Sequence, residues 1–241
     1  MSRCKRAPVN PLVTSPGRTL HFSRFPVPIE ADECPRKVPL TEGTSRIEAF
    51  SDGVFAIAIT LLILEIRLPH AGEAGSLSRQ LVALWPSYFA FALSFFVILV
   101  TWIAHHELMR LVHATNRPIQ LANGCCLAYV IFIPFPTAVL AANLGGPEMK
   151  TAVTFYCATF VFGSAAFNVL VETIARGGCG RPDIDQAIAY VRRGFRITLG
   201  VYVAATLIAL VAPWVALAIN VAVRVHLLRI RYQPTKVSRA A

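Results

Sequence analysis

The chain has 241 residues, of which 55% are hydrophobic and only 15% charged, and its mean hydropathy is +0.57. Soluble domains carry about 25% charged residues, so this composition excludes an ordinary soluble domain and predicts a polytopic membrane protein. The formal net charge of +10 would suggest nucleic acid in a soluble protein, but here the basic residues fall between apolar segments. We attribute them to the positive-inside rule and expect no nucleic-acid partner.

The predicted elements are a tail and six apolar segments. Residues 1–43 are rich in proline and arginine and show no hydrophobic period, which predicts a disordered cytoplasmic tail. Each apolar segment is long enough for a membrane-spanning helix. The predicted spans are 44–68, 81–111, 119–142, 151–174, 195–211 and 213–230. They form an all-α transmembrane domain, residues 44–232, followed by a short cytoplasmic tail, 233–241.

Polar residues and prolines set the ends and kinks of these spans. Thr44 or Ser45 can cap the first helix, and Pro69 ends it. Pro134 and Pro136 lie inside the third span, so we expect kinks there. The six cysteines show no CxxC spacing, which favours free or buried thiols over a disulfide framework or a metal site.

Basic residues are unequally divided between the two sides of the predicted membrane domain. If the N-terminus is inside, the outer segments hold only Arg67, Arg79 and Lys150, and the other lysines and arginines are inside. The positive-inside rule then puts both termini in the cytoplasm of a multi-pass plasma-membrane protein. The Phe50–Asp52 sequence occurs once, and the lack of an internal repeat argues weakly against an inverted-repeat transporter.

The first span has two faces of different character. Successive helix residues turn by about 100°, so five residues fall on one stripe. The stripe is aliphatic apart from one hydroxyl and one glycine, and it comprises Gly53, Ile57, Thr60, Leu61 and Leu64. Ser51 and Asp52 lie opposite and need polar partners on other helices, because an unpaired carboxylate in low dielectric is costly. Periodicity leaves open whether the stripe faces lipid, protein or a pore.

Two segments resemble a known family. The first is Arg46-x-x-x-Phe50-Ser51-Asp52, followed by Gly-Val-Phe-Ala-Ile-Ala-Ile-Thr-Leu-Leu-Ile-Leu-Glu-Ile. It resembles the first-helix signature of the lysosomal and endosomal potassium channel family (transmembrane protein 175-like) and its prokaryotic members. The second comprises Trp102-Ile-Ala-His105-His106-Glu-Leu-Met-Arg110, then Asn123 and Pro134-Phe135-Pro136-Thr137. The similarity covers about residues 44–232.

This resemblance implies a cation channel without a pore loop, whose pore is lined by the first helix of each subunit. Prokaryotic members have one six-helix unit per chain and assemble as tetramers, so the single motif implies a homotetramer in the lipid bilayer. Potassium is the implied transported ion, and no cofactor is implied. By the same resemblance, Ile57 forms the hydrophobic constriction, Leu61 and Leu64 form further rings, and Thr60 contributes to cation preference.

The resemblance also implies that four motif residues brace the pore helix against its neighbours. They are Arg46, Phe50, Ser51 and Asp52. The expected partners are Trp102, through its indole N–H, and His105 or His106, with Asn123 a weaker candidate. Adjacent histidines point about 100° apart on a helix, so we expect no metal site there.

These observations favour a moderately potassium-selective channel with a hydrophobic constriction. The alternative is a proton-coupled secondary transporter that uses Asp52, Glu172 and the histidines. A membrane enzyme is least favoured, because the sequence contains no evident nucleophile–base pair, metal-ligand set or phosphate-binding loop.

Overall fold

The computed structural model describes residues 41–66, 76–112, 114–177 and 185–229. The predicted tails lie outside these residues, except for the last residues of the N-terminal one. The described chain is folded into α helices, in agreement with the predicted all-α class. In chain order they are α1 Thr41–Leu61, α2 Leu77–Ala83, α3 Trp85–Met109, α4 Arg117–Phe132, α5 Pro134–Asn143, α6 Met149–Arg176, α7 Asp185–Ala209 and α8 Pro213–Arg229. A 3-10 turn, Leu62–Glu65, continues α1.

Four segments of the described chain are long and apolar enough to cross a membrane. They are Thr44–Glu65, Trp85–Met109, Arg117–Asn143 and Met149–Arg176. These segments correspond to the first four predicted spans. The two remaining predicted spans fall on α7, whose first half carries arginines, and on α8, which has 17 residues.

Prolines divide two of the predicted spans. Pro134 lacks the N–H that would bond the Val130 carbonyl, and the Ile133 N–H bonds this carbonyl instead, at 3.2 Å. The third span is therefore interrupted between α4 and α5, at the first of the two prolines where kinks are expected. The second predicted span is interrupted too, at Leu84, because Pro86 at the start of α3 offers no N–H. The apolar pattern of the sequence did not predict this second break.

Helix α7 begins at Asp185, well before the predicted start at residue 195. Ile188, Val191 and Phe195 recur at helical spacing and are buried. They stabilise the first turns of α7, which packs along α6. The prediction was wrong about this end because arginines interrupt the apolar pattern of the segment.

The core of the described fold lies around α6, which packs against α4, α5, α7 and α8. In its most apolar stretch 56% of the residues are buried, whereas in that of α1 only 22% are buried. Helix α1 packs against α3 and α4 at the side of this core. A single chain thus leaves most of the surface of α1 uncovered.

A substitution at Gly163 on α6 tests the packing of α6 against α4. A Cβ at Gly163 would overlap the ring of Tyr129 on α4, whereas a Cβ at Gly200 on α7 would meet open space. We expect Gly163→Ala to destabilise the protein by about 1–3 kcal/mol, because the ring must shift. Gly200→Ala is the matched control, with an unchanged or slightly raised Tm. Thermal unfolding of the purified protein measures both, and equal Tm values for the two variants would contradict this packing.

Candidate functional site

Helix α1 has one buried face and one exposed face. The buried face repeats at helical spacing and comprises Ser51, Phe55, Ala58 and Leu62. The predicted stripe lies on the other side, and all five of its residues are exposed. Ile57 is 62% exposed and Leu64 is 72% exposed. The aliphatic stripe therefore has no partner within the described chain.

Asp52 is bonded to α3. The indole Nε1–H of Trp102 donates to Asp52 Oδ1 at 2.8 Å, and both side chains are partly buried. The Trp102 ring stacks on the imidazole of His106, with 5.7 Å between ring centroids. The structure thus brings Asp52 and Trp102 together, as the sequence reasoning expected.

Ser51 belongs to a second, fully buried set of hydrogen bonds. Asn123 Nδ2 on α4 donates to Ser51 Oγ at 3.0 Å, and His105 Nε2 on α3 lies 2.7 Å from Asn123 Oδ1. Because an amide oxygen only accepts, His105 carries its proton on Nε2 and donates it. The rings of Phe55 and Phe167 flank this imidazole. The network therefore ties α1 to α4 and α3.

Of the two histidines expected as partners of the motif, His105 reaches Ser51 through Asn123, and His106 lies near Glu48. In the described residues neither is hydrogen-bonded to Asp52: His105 bonds Asn123, and His106 Nδ1 lies 3.9 Å from Glu48 Oε1. Asn123, the weaker candidate, is a central member of the network. The sequence could not distinguish these pairings, because the side chains of Trp102, His105, His106 and Asn123 all lie at the same end of the helix bundle.

Arg46 and Phe50 lie beside this network. They line an open groove of about 530 Å³ together with Gln120, Gly124 and Asn123 of α4, and Asn123 belongs to both the groove and the network. Phe50 is largely exposed. The motif is therefore divided, with Ser51 and Asp52 facing the neighbouring helices and Arg46 and Phe50 facing the groove.

One buried cation was missed by the sequence reasoning. Arg224 of α8, counted there with the inner-side basic residues, is only 5% exposed. It donates to Thr101 Oγ1 at 2.9 Å and to the Tyr129 hydroxyl at 3.3 Å. A lone arginine inside an apolar segment was the available signal, because ionisable groups at such positions face the protein interior.

Among the residues that the structure describes, no group of three or more His, Cys, Asp or Glu side chains is arranged to bind a metal ion. The described cysteines, Cys125, Cys126 and Cys157, are free thiols. Ser51 and Asp52 of α1 are joined to α4 and α3 by hydrogen bonds, and these bonds orient the helix.

Comparison with known proteins identifies the family. Residues 46–134 match the family described as endosomal/lysosomal potassium channel TMEM175. A protein of Chamaesiphon minutus named a potassium channel is 38% identical over 191 residues, which cover 76% of this chain and 92% of that protein. The chain belongs to the TMEM175 family. The resemblance recognised from the sequence is thereby confirmed.

Other TMEM175 family members agree with this assignment. A Streptomyces collinus protein named a potassium channel is 40% identical over 159 residues, covering 65% of this chain and 77% of that protein. The crystal structure of a lysosomal potassium-selective channel TMEM175 homolog from Chamaesiphon minutus superimposes with a TM-score of 0.70 at 37% identity, over 77% of this chain and 96% of that one. The human endosomal/lysosomal proton channel TMEM175 is 32% identical over 156 residues, which cover 31% of it.

The hydrogen bond between Trp102 and Asp52 can be tested directly. Trp102→Phe leaves the carboxylate without its donor, and we expect a destabilisation of about 1–3 kcal/mol. Trp85→Phe, at the exposed start of the same helix, is the matched control and should keep the wild-type Tm. Thermal unfolding in detergent measures both. A Tm for Trp102→Phe equal to that of the control would show that the bond contributes nothing.

Proposed function

We propose that this chain is the subunit of a potassium channel whose pore is lined by α1. The observation that carries the proposal is the division of α1 into two faces. Ser51 and Asp52 are hydrogen-bonded to α4 and α3, while the aliphatic stripe, from Gly53 to Leu64, is exposed. The bacterial relatives reported above are named potassium channels. A channel is not an enzyme, and potassium is its cargo.

The proposed topology has six membrane spans per chain with both termini in the cytoplasm. Four spans follow from length and composition, and α7 and α8 supply the other two. The interior position of Arg224 makes α8 compatible with the membrane, because its charge does not face lipid. The facing ends of α6 and α7 carry Arg176, Arg192 and Arg196 around Glu172, as expected for the inner side.

The proposed assembly is a homotetramer in the cell membrane. A pore cannot form within one chain, because the stripe of α1 is on the outside of the subunit. Copies arranged around a common axis would turn this stripe inward. The groove beside Arg46 and Phe50 would then receive part of a neighbouring subunit. The tetramer itself is the assembly that the family resemblance implies.

The hydrophobic gate is proposed to consist of rings of Ile57, Leu61 and Leu64. Side chains three residues apart are eclipsed in a 3-10 helix, so the turn Leu62–Glu65 brings Leu64 nearly in line with Leu61. A narrow aliphatic neck holds no stable water column until it widens. The gate would therefore open by a small change of radius.

The selectivity of this pore is proposed to come from ion dehydration and from Thr60. The Thr60 hydroxyl donates to the Ile57 carbonyl at 2.8 Å, so its oxygen is held in one orientation as an acceptor. Sodium is more tightly hydrated than potassium and loses more on entering a narrow neck. Since the stripe contains no ring of carboxylates, we expect moderate selectivity.

A proton-coupled carrier is less well supported. Such a carrier needs carboxylates that bind and release protons during each cycle. Glu172 lies 3.0 Å from Arg176 and 3.4 Å from Arg196, and Asp52 accepts the Trp102 bond. Both carboxylates are thus engaged in contacts that link helices.

Potassium flux through Ile57 variants tests the gate. We expect Ile57→Ala and Ile57→Asn to increase potassium flux in reconstituted liposomes. Both variants widen the neck, and the polar side chain of asparagine also favours water inside it. Ile63→Ala is the matched control: Ile63 is an exposed aliphatic residue of the same segment outside the stripe. Unchanged flux in both Ile57 variants would exclude Ile57 as the constriction.

Two conservative variants test Thr60. Thr60→Val keeps the shape of the side chain and removes the oxygen, so we expect a lower potassium-to-sodium permeability ratio. Thr60→Ser keeps the oxygen and should keep the ratio close to that of the wild type. Reversal potentials in planar bilayers under bi-ionic conditions measure this ratio. If valine and serine give the same ratio, the hydroxyl has no part in selectivity.

A further inference from the structure

A small cavity lies beside Arg224, on the side of the subunit formed by α3, α4, α6, α7 and α8. Its volume is about 30 Å³, and each of these helices contributes a polar side chain to its lining. The polar lining residues are Thr101, Tyr129, Ser164, Thr198, Tyr202 and Arg224. No residue of α1 lines it, so this cavity is separate from the proposed cation pathway.

The charge of Arg224 is not neutralised within the described residues. Its hydrogen-bond acceptors, Thr101 and Tyr129, are both neutral. The guanidinium also lies over the rings of Phe160 and Tyr202, at 5.1 and 5.2 Å from their centroids. An arginine side chain does not lose its proton in proteins, so a full positive charge is buried here. Buried charges are ordinarily paired, and cation–π contacts compensate only part of the desolvation.

The unsatisfied polar atoms of this cavity can all donate a hydrogen bond. Arg224 Nε, Ser164 Oγ and the Tyr202 hydroxyl are buried and have no hydrogen-bond partner in the described protein. The nitrogen is a donor only, and the two hydroxyls can donate. Thr198 differs, because its hydroxyl donates to the Gly194 carbonyl at 3.0 Å. Because Arg224 Nε can only donate, a ligand that satisfies it must accept a hydrogen bond.

We propose that the cavity binds a small monovalent anion of the halide class, with chloride as the ion of ordinary solutions. A halide can accept hydrogen bonds from Arg224 Nε and from hydroxyl groups of the lining, and it neutralises the guanidinium. The cavity, with a volume of about 30 Å³, has room for one such ion. A water molecule would satisfy the nitrogen but would leave the charge uncompensated.

The bound anion would join the helices of the subunit. Ser164 lies on α6, Tyr202 on α7 and Arg224 on α8, so one ion would link three helices that are separate in sequence. Its expected effect is on the stability of the subunit. Potassium would pass through the proposed pore along α1, which is separate from this anion site.

Anomalous diffraction from the wild-type protein gives the first test. Crystals of the full chain grown with bromide in place of chloride should show an anomalous peak in the cavity, within hydrogen-bond distance of Arg224 Nε. A cavity without an anomalous peak at saturating bromide, including one occupied by water alone, would overturn the proposal.

Thermal unfolding gives the second test. At constant potassium and ionic strength, replacing gluconate by chloride should raise the Tm of the wild type by about 2–4 °C with a saturable dependence. Arg224→Met should abolish this rise, and Ser164→Ala and Tyr202→Phe should shift its midpoint to higher chloride. Tyr190→Phe, an exposed tyrosine of α7, is the control and should behave as the wild type.

Measurements on the same variants also give the results that would contradict the anion proposal. An equal rise in the wild type and in Arg224→Met would mean that chloride acts elsewhere, and no rise in the wild type would exclude a stabilising anion. If Arg224→Met does not fold, the two milder variants decide. Midpoints unchanged from that of the Tyr190→Phe control would then overturn the proposal.

Discussion

The hydrogen bonds of Ser51 and Asp52 determine which way α1 faces. These residues are neighbours in sequence but are bonded to different helices: Ser51 to Asn123 on α4, and Asp52 to Trp102 on α3. Two anchors about 100° apart allow only one rotation of the helix about its axis. The exposure of Ile57 and of the rest of the stripe follows from that rotation.

The hydrogen bonds of Ser51 and Asp52 contribute more to the orientation of α1 than its apolar contacts do. A buried polar group left without a partner costs about 1–3 kcal/mol, and an unpaired carboxylate costs more. In an unassembled subunit in the bilayer, turning the aliphatic stripe from lipid toward protein gains little, because lipid tails are as apolar as leucine side chains. Rotation of α1 would thus lose the bonds of Ser51 and Asp52 without compensation. The bonds of Ser51 and Asp52 therefore hold the aliphatic stripe on the outside of the subunit, where the proposed pore would use it.

Properties that depend on neighbouring residues could be predicted from the sequence. The apolar length of the first span, the separation of Ile57 from Asp52 around the helix, and the interruption at Pro134 all follow from local pattern. Features that depend on contacts between distant segments could not. The burial of Arg224 requires Thr101 and Tyr129, from two other helices, to be brought to it. The early start of α7 and the partners of the two histidines likewise depend on packing against α6, α4 and α1.

In the proposed channel, copies of α1 surround a common axis with the aliphatic stripe facing it. A cryo-electron microscopy map of the full chain in lipid nanodiscs, viewed along the membrane normal, would show this arrangement. We expect four α1 helices around the symmetry axis, with the Ile57 side chains nearest to it. A map in which Ile57 and Leu64 contact lipid, while another helix lines the axis, would contradict it.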